Sequence, residues 1–433
     1  MNNIIKNPYI EYIPFDGTEF ILYVPDSDKF VKINTNAIHL LELSNTPQSI
    51  DELVKSYTSS IEDSDRNSTE LVVAQMLSIG ALLPSGENIS PPSSRIGLRN
   101  LSDTIPQLVL HVTLRCNLAC SYCYSNKYRK TENVSELTDT QWKEIIDQAV
   151  VNGCKTVYIT GGEPLLREDL LPVWSYAMEQ GIYTKLLTNG TLITKNIAEQ
   201  IKKSISELII SIDSIDPCIN DMNRGKGSYK RILHSIAILK EIGVSWQGQI
   251  VVNRKTMSTL KETTEWLKEL SGKHPVLAGV ISSHDNDDES EEAFSAIDGL
   301  YANSNNEYNP DECLEFVSRC GAANTIVSIS PDGYLYPCKG LMVDRFKGLN
   351  ILETGLKKAR DASPNLIRFR NVSYEGVQVC SSCSLIKFCM AGGCRARAYM
   401  RTGSIFGYIG DTVCRAMRRR ITGKISNAVL KAN

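Results

Sequence analysis

Three cysteines stand close together in LVLHVTLRCNLACSYCY, residues 108–124: Cys116, Cys120 and Cys123, spaced C-x3-C-x2-C. Three thiolates at this spacing can hold three corners of a [4Fe–4S] cube. The fourth iron then lacks a protein ligand and can bind a small molecule. Taken alone, the three cysteines would equally suit a zinc site or plain buried thiols. A second array fills the last third of the chain: Cys313, Cys320, Cys338, Cys380, Cys383, Cys389, Cys394 and Cys414. Gly333-x4-Cys338 precedes Cys380-x2-Cys383-x5-Cys389, and Cys394 follows after a Gly392–Gly393 pair. Such pairs suit either iron–sulfur clusters or zinc, and spacing alone does not separate the two. Cys154 reads as a packed small apolar residue, and Cys218 as a bystander nearer the chemistry.

The 13 cysteines are more than structure alone requires. The opening MNNIIKNPYIEY lacks a basic segment followed by a long apolar one, so no signal peptide is expected. No apolar run is long enough to span a bilayer. Together these predict reduced thiols, a cytoplasmic protein and metal or redox chemistry rather than a disulfide framework. The net charge of -2 gives no global attraction to nucleic acid or to an anionic membrane.

The elements that position these residues can be read in order. YIEYIPF, EFILYV and KFVKIN are short runs rich in β-formers, separated by Asp16–Gly17 and Pro25–Asp26, and predict a small antiparallel sheet. Helical patterns follow over 35–43, 49–58 and 67–79, the last capped by Asn67 or Ser68 and ended by Gly80. Strands followed by three helices predict a winged-helix-like unit over residues 1–88. The segment from Ser85 to Pro106 holds three prolines and reads as a linker, assigned to 89–106. From 107 to 303, strand-like TVYIT, TKLLTN, ELIISID and WQGQIVVN alternate with helical patterns over 139–152, 170–180 and 228–242. That alternation predicts an α/β unit with a parallel sheet. HDNDDESEE reads as a solvated acidic loop, with a role in attracting a basic peptide left open, and the basic RAMRRRITGK as a solvated terminus.

The C-x3-C-x2-C motif, with Tyr122 inside it, resembles the radical S-adenosylmethionine (radical SAM) superfamily. The resemblance implies a partial (β/α)6 barrel in which Cys116, Cys120 and Cys123 bind a [4Fe–4S] cluster whose open iron chelates S-adenosylmethionine. Gly161, Gly162 and Glu163 match the family's GGE motif and would receive the cofactor's amino group; Tyr122 joins the cofactor-binding set. Ser211 and Asp213 would reach the ribose and methionine portions. Asn253 would lie near the adenine, and Arg224 would either pair with the methionine carboxylate or sit in a solvated loop. Thr188–Asn189–Gly190 resembles the family's T-N-G turn and is given no ligand contact.

Residues 304–433 resemble the SPASM domain, which holds two auxiliary [4Fe–4S] clusters. The resemblance gives Cys313, Cys320, Cys338 and Cys394 to one and Cys380, Cys383, Cys389 and Cys414 to the other. Cys389-x4-Cys394 is one residue longer than the family spacing. Three clusters amount to about twelve irons per chain. Residues 1–88 resemble the PqqD-like domain of enzymes that modify ribosomally made peptides, where a leader peptide adds a strand to an exposed sheet edge. Lys29–Asn34 is the expected edge. These resemblances imply an oxidoreductase-type peptide maturase. A sactipeptide-type thioether cross-link is its expected product; a carbon–carbon or ether link, epimerisation and a non-peptide substrate are the alternatives. The expected partners are a precursor peptide and a flavodoxin- or ferredoxin-type electron donor. Related sulfatase-maturing enzymes carry an aspartate after the cysteine matching Cys338; Lys339 stands here and argues against that activity.

Overall fold

The computed structural model describes residues 3–16, 18–24, 29–62, 64–86, 103–123, 135–279, 292–293, 296–297, 300, 320–370, 378–381, 383, 394–411 and 413–415. The amino-terminal unit contains β1 (Ile4–Lys6), β2 (Glu11–Asp16), β3 (Glu19–Val24), β4 (Lys29–Asn34), α1 (Thr35–Leu43), α2 (Ile50–Thr58), α3 (Arg66–Ile79) and β5 (Leu82–Pro84). Strands β2, β3 and β4 form an antiparallel sheet in that order, and β1 pairs antiparallel with β5. A capping box between Ser49 and Glu52 starts α2. Asp65, not the expected Asn67 or Ser68, caps α3, because its carboxylate accepts the Ser68 N–H. Gly80 ends that helix at φ +80°, a left-handed conformation that favours glycine. Leu22, Val24, Ile33, Leu40, Leu53 and Val73 form a core of the unit's own.

Next come β6 (Gln107–His111), α4 (Asp139–Val151), β7 (Thr156–Thr160), α5 (Leu171–Glu179), β8 (Tyr183–Thr188), α6 (Lys195–Ser204), β9 (Glu207–Ser211), α7 (Pro217–Arg224), α8 (Ser228–Ile242), β10 (Trp246–Val252), α9 (Arg254–Met257), α10 (Leu260–Ser271) and β11 (Val276–Gly279). Strands β6 to β11 lie side by side in chain order, and every pair is parallel. This is the expected six-stranded arrangement. Side chains alternate across it: Leu108, Leu110, Val157, Ile159, Leu208, Ile210, Ile250 and Val252 pack into the hydrophobic core with the helices. The intervening residues face the other way.

The chain beyond the expected boundary at 303/304 returns to the same sheet. β12 (Ile326–Ile329) pairs parallel with β6, and β13 (Leu335–Tyr336) pairs antiparallel with β12. Helices α11 (Ile351–Thr354), α12 (Leu356–Ala362), α13 (Pro364–Arg370), α14 (Gln378–Ser381) and α15 (Arg395–Thr402) follow. Val327, Ile329, Leu335, Leu366 and Phe369 join the same core as the six-stranded sheet. Each such apolar side chain contributes about 1.5–3 kcal/mol by burial, so 320–370 is bound to the sheet rather than packed as a separate body. Among the described residues, no helix is long and apolar enough to cross a membrane. Most of the expected linker, the acidic HDNDDESEE run apart from Glu292, the RAMRRRITGK segment apart from Arg415, and Cys313 and Cys389 lie outside the described residues.

Candidate active site

The loop 112–123 follows β6 and carries Cys116, Cys120 and Cys123. It is fixed from several sides. Glu136 accepts from the Thr113 hydroxyl at 2.5 Å and from Arg115 Nη2 at 2.9 Å. Its carboxyl lies below the ordinary range: burial opposes this, but the Arg115 and Thr113 hydrogen bonds outweigh it. Gly162 and Glu163 donate their N–H groups to the carbonyls of Thr113 and Arg115, both at 2.8 Å. A Cβ on Gly161 would lie 2.3 Å from the Thr113 carbonyl oxygen, and one on Gly162 2.0 Å from that of Arg115. The two glycines therefore permit a backbone-to-backbone approach that seats the cysteine loop. Asn117 accepts from Asn189 Nδ2 at 2.9 Å and donates to the Thr191 hydroxyl at 2.8 Å. The Ser121 N–H donates to the Asn223 carbonyl at 2.9 Å, and Cys120 Sγ to that of Arg224 at 4.0 Å.

Two buried carboxylates tie these segments together. Glu163 accepts from the Leu165 N–H at 3.0 Å, the Thr188 hydroxyl at 2.6 Å and the Asn189 N–H at 2.8 Å. Burial raises its pKa against the pull of those bonds. Asp213, expected to reach a cofactor, is 0 % exposed. Its Oδ1 accepts from Arg224 Nη2 at 2.7 Å and from the Val251 N–H at 3.1 Å; its Oδ2 accepts from the Tyr122 hydroxyl at 2.5 Å. Asp213 thus orients Tyr122 and Arg224. The solvated-loop reading of Arg224 does not hold, since the side chain is buried and its guanidinium lies 5.7 Å from the Tyr122 ring centroid. Asn253 is buried and caps α9 through the Lys255 and Thr256 N–H groups, at 3.0 and 3.2 Å. Ser211 ends β9 on the face turned away from the helices, in register with Gln249. Cys218 is exposed near the start of α7, whose other end meets the cysteine loop. Cys154 is buried between the Pro106 and Thr156 carbonyls.

Residues 110–267 match the Radical SAM superfamily. The central part of this chain is a radical SAM domain. The Fe-coproporphyrin III synthase of Methanosarcina barkeri (strain Fusaro / DSM 804) is 32% identical over 204 residues, 45% of this chain and 51% of that protein, so the match spans about half of that relative. The PqqA peptide cyclase of Gluconobacter oxydans (strain 621H) is 25% identical over 325 residues, 71% of this chain and 89% of that protein. In fold, anSMEcpe with bound AdoMet and Cp18Cys peptide superposes with TM-score 0.60 at 20% identity, covering 76% of this chain and 100% of the other. Streptococcus suis SuiB bound to S-adenosylmethionine superposes with TM-score 0.58 at 20% identity, covering 95% of this chain and 100% of the other.

A radical SAM domain implies S-adenosylmethionine and a [4Fe–4S] cluster, and the residues present fit both. Burial pushes the Cys120 thiol up to about 11 against the pull of Arg224, and Cys123, Asp213 and Cys116 add to the rise. A cationic iron core relieves that penalty, because coordination deprotonates a thiol outright. A cube takes one thiolate per iron, so the three cysteines of the loop would supply three of its four corners. Beside the loop, Arg224 Nε and Asn223 Nδ2 are buried donors with no partner. Buried donors are rarely left so, and a ligand carrying carboxylate and hydroxyl oxygens can satisfy them.

Among the carboxyl-terminal cysteines, Cys320, Cys338 and Cys394 come together: burial raises the Cys338 thiol, and Cys320 and Cys394 raise it further by repulsion. Cys394 caps α15, and Cys383 donates its N–H to the Cys380 carbonyl at 3.0 Å. Sequence reasoning missed Asn117, Glu136 and Asn223, and gave Asn189 no part in the site. Asn117 lies inside the cysteine motif and was open to notice there; Glu136 lies 21 residues from Arg115, with no local pattern to mark it.

Proposed function

We propose that this protein is a radical SAM enzyme that modifies a ribosomally made precursor peptide, joining a peptide cysteine sulfur to a carbon of another residue. The observation that carries the radical part is the loop of Cys116, Cys120 and Cys123, seated at the carboxyl end of β6 where barrel active sites lie. The peptide part is supported by the similarity to PqqA peptide cyclase over 71% of the chain, and by a SuiB-like fold that extends through the amino-terminal unit. A SuiB structure holds the precursor peptide SuiA. Strand β4 has β3 on one side and no described strand on the other. That edge would take a leader peptide by strand addition, with α3 as the groove wall.

In this reading, Cys116, Cys120 and Cys123 hold the cluster, and Ser211, Asn223 and Arg224 surround the cofactor. When bound, the two supply a 5′-deoxyadenosyl radical that removes a carbon-bound hydrogen from the substrate. Asp213 holds Arg224 and Tyr122 in place, and Glu163 holds the loop from below. Joining S–H to C–H removes two electrons overall. The substrate's second electron needs an acceptor, and Cys320, Cys338 and Cys394, with Cys313, would hold a group suited to that role. Cys380, Cys383, Cys389 and Cys414 would hold a second. A flavodoxin- or ferredoxin-type protein would deliver the initiating electron.

The test is anaerobic co-expression with the peptide encoded by a neighbouring short reading frame, followed by mass spectrometry. Loss of two hydrogens per link, with a sulfur-to-carbon bond in the fragments, is expected. Loss of two hydrogens without that bond points to a carbon–carbon or ether link. Solvent deuterium uptake without mass loss points to epimerisation. The similarity to Fe-coproporphyrin III synthase favours a second reading, a non-peptide substrate. An unmodified peptide alongside active 5′-deoxyadenosine formation would favour it.

A further inference from the structure

Asn189 closes a ring of three side chains beside Cys116. Its Nδ2 donates to Asn117 Oδ1 at 2.9 Å, Asn117 Nδ2 donates to the Thr191 hydroxyl at 2.8 Å, and that hydroxyl donates back to Asn189 Oδ1 at 2.7 Å. The Thr191 N–H also donates to Asn189 Oδ1, at 2.9 Å. These bonds fix which end of the amide is nitrogen. Turned over, it would set an NH2 group against the Thr191 N–H, and neither can accept. The backbone is held as well: the Asn189 N–H donates to the buried Glu163 carboxylate at 2.8 Å, and the residue is 8 % exposed. An amide nitrogen carries two hydrogens. Asn117 takes one of them. Cys116 Sγ lies 4.0 Å from the same nitrogen and accepts the other. The Leu118 N–H donates to that sulfur too, at 3.5 Å.

We propose that Asn189 is a positioning residue that acts through Cys116: its amide donates to the thiolate and raises the reduction potential of the cluster held there, which eases delivery of the initiating electron. Reduction adds negative charge to a cluster and its thiolates. A donor aimed at one of those sulfurs therefore stabilises the reduced state more than the oxidised one, and such hydrogen bonds help to set cluster potentials. The contact is long for a thiol, and an ionised acceptor draws a donor closer. The ring holds the amide in place beforehand, so little ordering is needed when the thiolate forms. A purely mechanical role would instead work through Asn117, as one more anchor of the loop. The inference rests on Cys116, Cys120 and Cys123 holding a cluster, and not on the substrate or the bond made.

The test is a redox titration of the anaerobically reconstituted full chain, followed by electron paramagnetic resonance. The signal to follow is the one absent from protein with Cys116, Cys120 and Cys123 replaced by alanine. Asn189→Ala should shift the equilibrium about tenfold toward the oxidised cluster, a fall of about 59 mV for one electron. Asn117→Ala leaves both Thr191 bonds to the Asn189 amide, so it should stay within about twofold of wild type in the same equilibrium. An iron-replete Asn189→Ala with an unchanged or higher potential overturns the inference. So does an equal fall in Asn117→Ala, which would make the effect one of loop anchoring. Should Asn189→Ala fail to hold iron, Thr191→Val decides alone. It removes one of the two bonds that orient the amide and should lower the potential; an unchanged value overturns the inference. If no signal is lost in the triple cysteine variant, the cluster reading itself fails and this inference falls with it, whereas a failure confined to Asn189 leaves that reading standing.

Discussion

Replacing Asp213 with alanine should damage the protein out of proportion to the few atoms removed. The carboxylate is wholly buried, and the Arg224 guanidinium beside it is 5 % exposed. Removing one partner of such a pair leaves the other charge desolvated and unpaired, which costs about 3–5 kcal/mol. For a domain of this size that is a fall of roughly 6–20 °C in thermal midpoint. The Tyr122 hydroxyl and the Val251 N–H lose their acceptor in the same step. Because Tyr122 sits between Cys120 and Cys123, iron should also bind less firmly at that loop. The measurements are the thermal midpoint and iron content of anaerobically reconstituted protein. Arg224→Met in the Asp213→Ala background supplies the control: with no charge left unpaired, the double variant should be more stable than Asp213→Ala alone. A single variant within about 0.5 kcal/mol of wild type, the scale of an ordinary surface change, or strictly additive losses in the double variant, would refute the reasoning.

Gly162→Ala should displace the cysteine loop, since the new Cβ would stand 2.0 Å from the Arg115 carbonyl oxygen, and 5′-deoxyadenosine formation should fall to background in a protein that still folds. Replacing Cys116, Cys120 and Cys123 together with alanine should lower iron by about four per chain and end S-adenosylmethionine cleavage; full iron retention would place the cluster elsewhere. Glu136 has a lowered folded-state pKa, so its stabilisation is present above the ordinary value of 4.5 and is lost as pH falls through the folded value. Glu136→Gln should therefore lower the thermal midpoint at neutral pH and reduce its acid dependence; a midpoint falling in parallel with wild type as the solution is acidified would contradict that.

What the sequence disclosed was whatever repeats locally. EFILYV and KFVKIN match β3 and β4 residue for residue, TVYIT matches β7, and the pattern over 228–242 matches α8. Three-residue β1 and β5 and four-residue β11 and β12 are too short to show a period, and β1 and β12 find their partners far away in the chain. The site divides in the same way. The cysteine motif, the glycine pair and the strand ends could be found by type and spacing. Their partners could not: Tyr122 meets Asp213 across 91 positions, and Glu163 meets Thr188 across 25. Asp213 is a clear case. Its type and strand-end position suited a ligand contact, and only the fold brings Arg224 and Tyr122 to take its oxygens.

The arrangement of these contacts bears on how the cysteines work. A free loop must lose roughly 1–2 kcal/mol of backbone entropy per residue when it is ordered around a ligand. Here the loop is already held by Glu136, by 161–163, by Asn189 and Thr191, by Asp213 and by 223–224. Apart from Glu136, which lies just before α4, each of these points follows β7, β8 or β9, so the parallel sheet sets their relative positions and the loop inherits that rigidity. The binding free energy of a cluster and its cofactor is then not spent on ordering this loop. The two buried carboxylates take part in this through the side chains and N–H groups that they hold. A substitution at either should be read first in cluster retention and only through it in turnover.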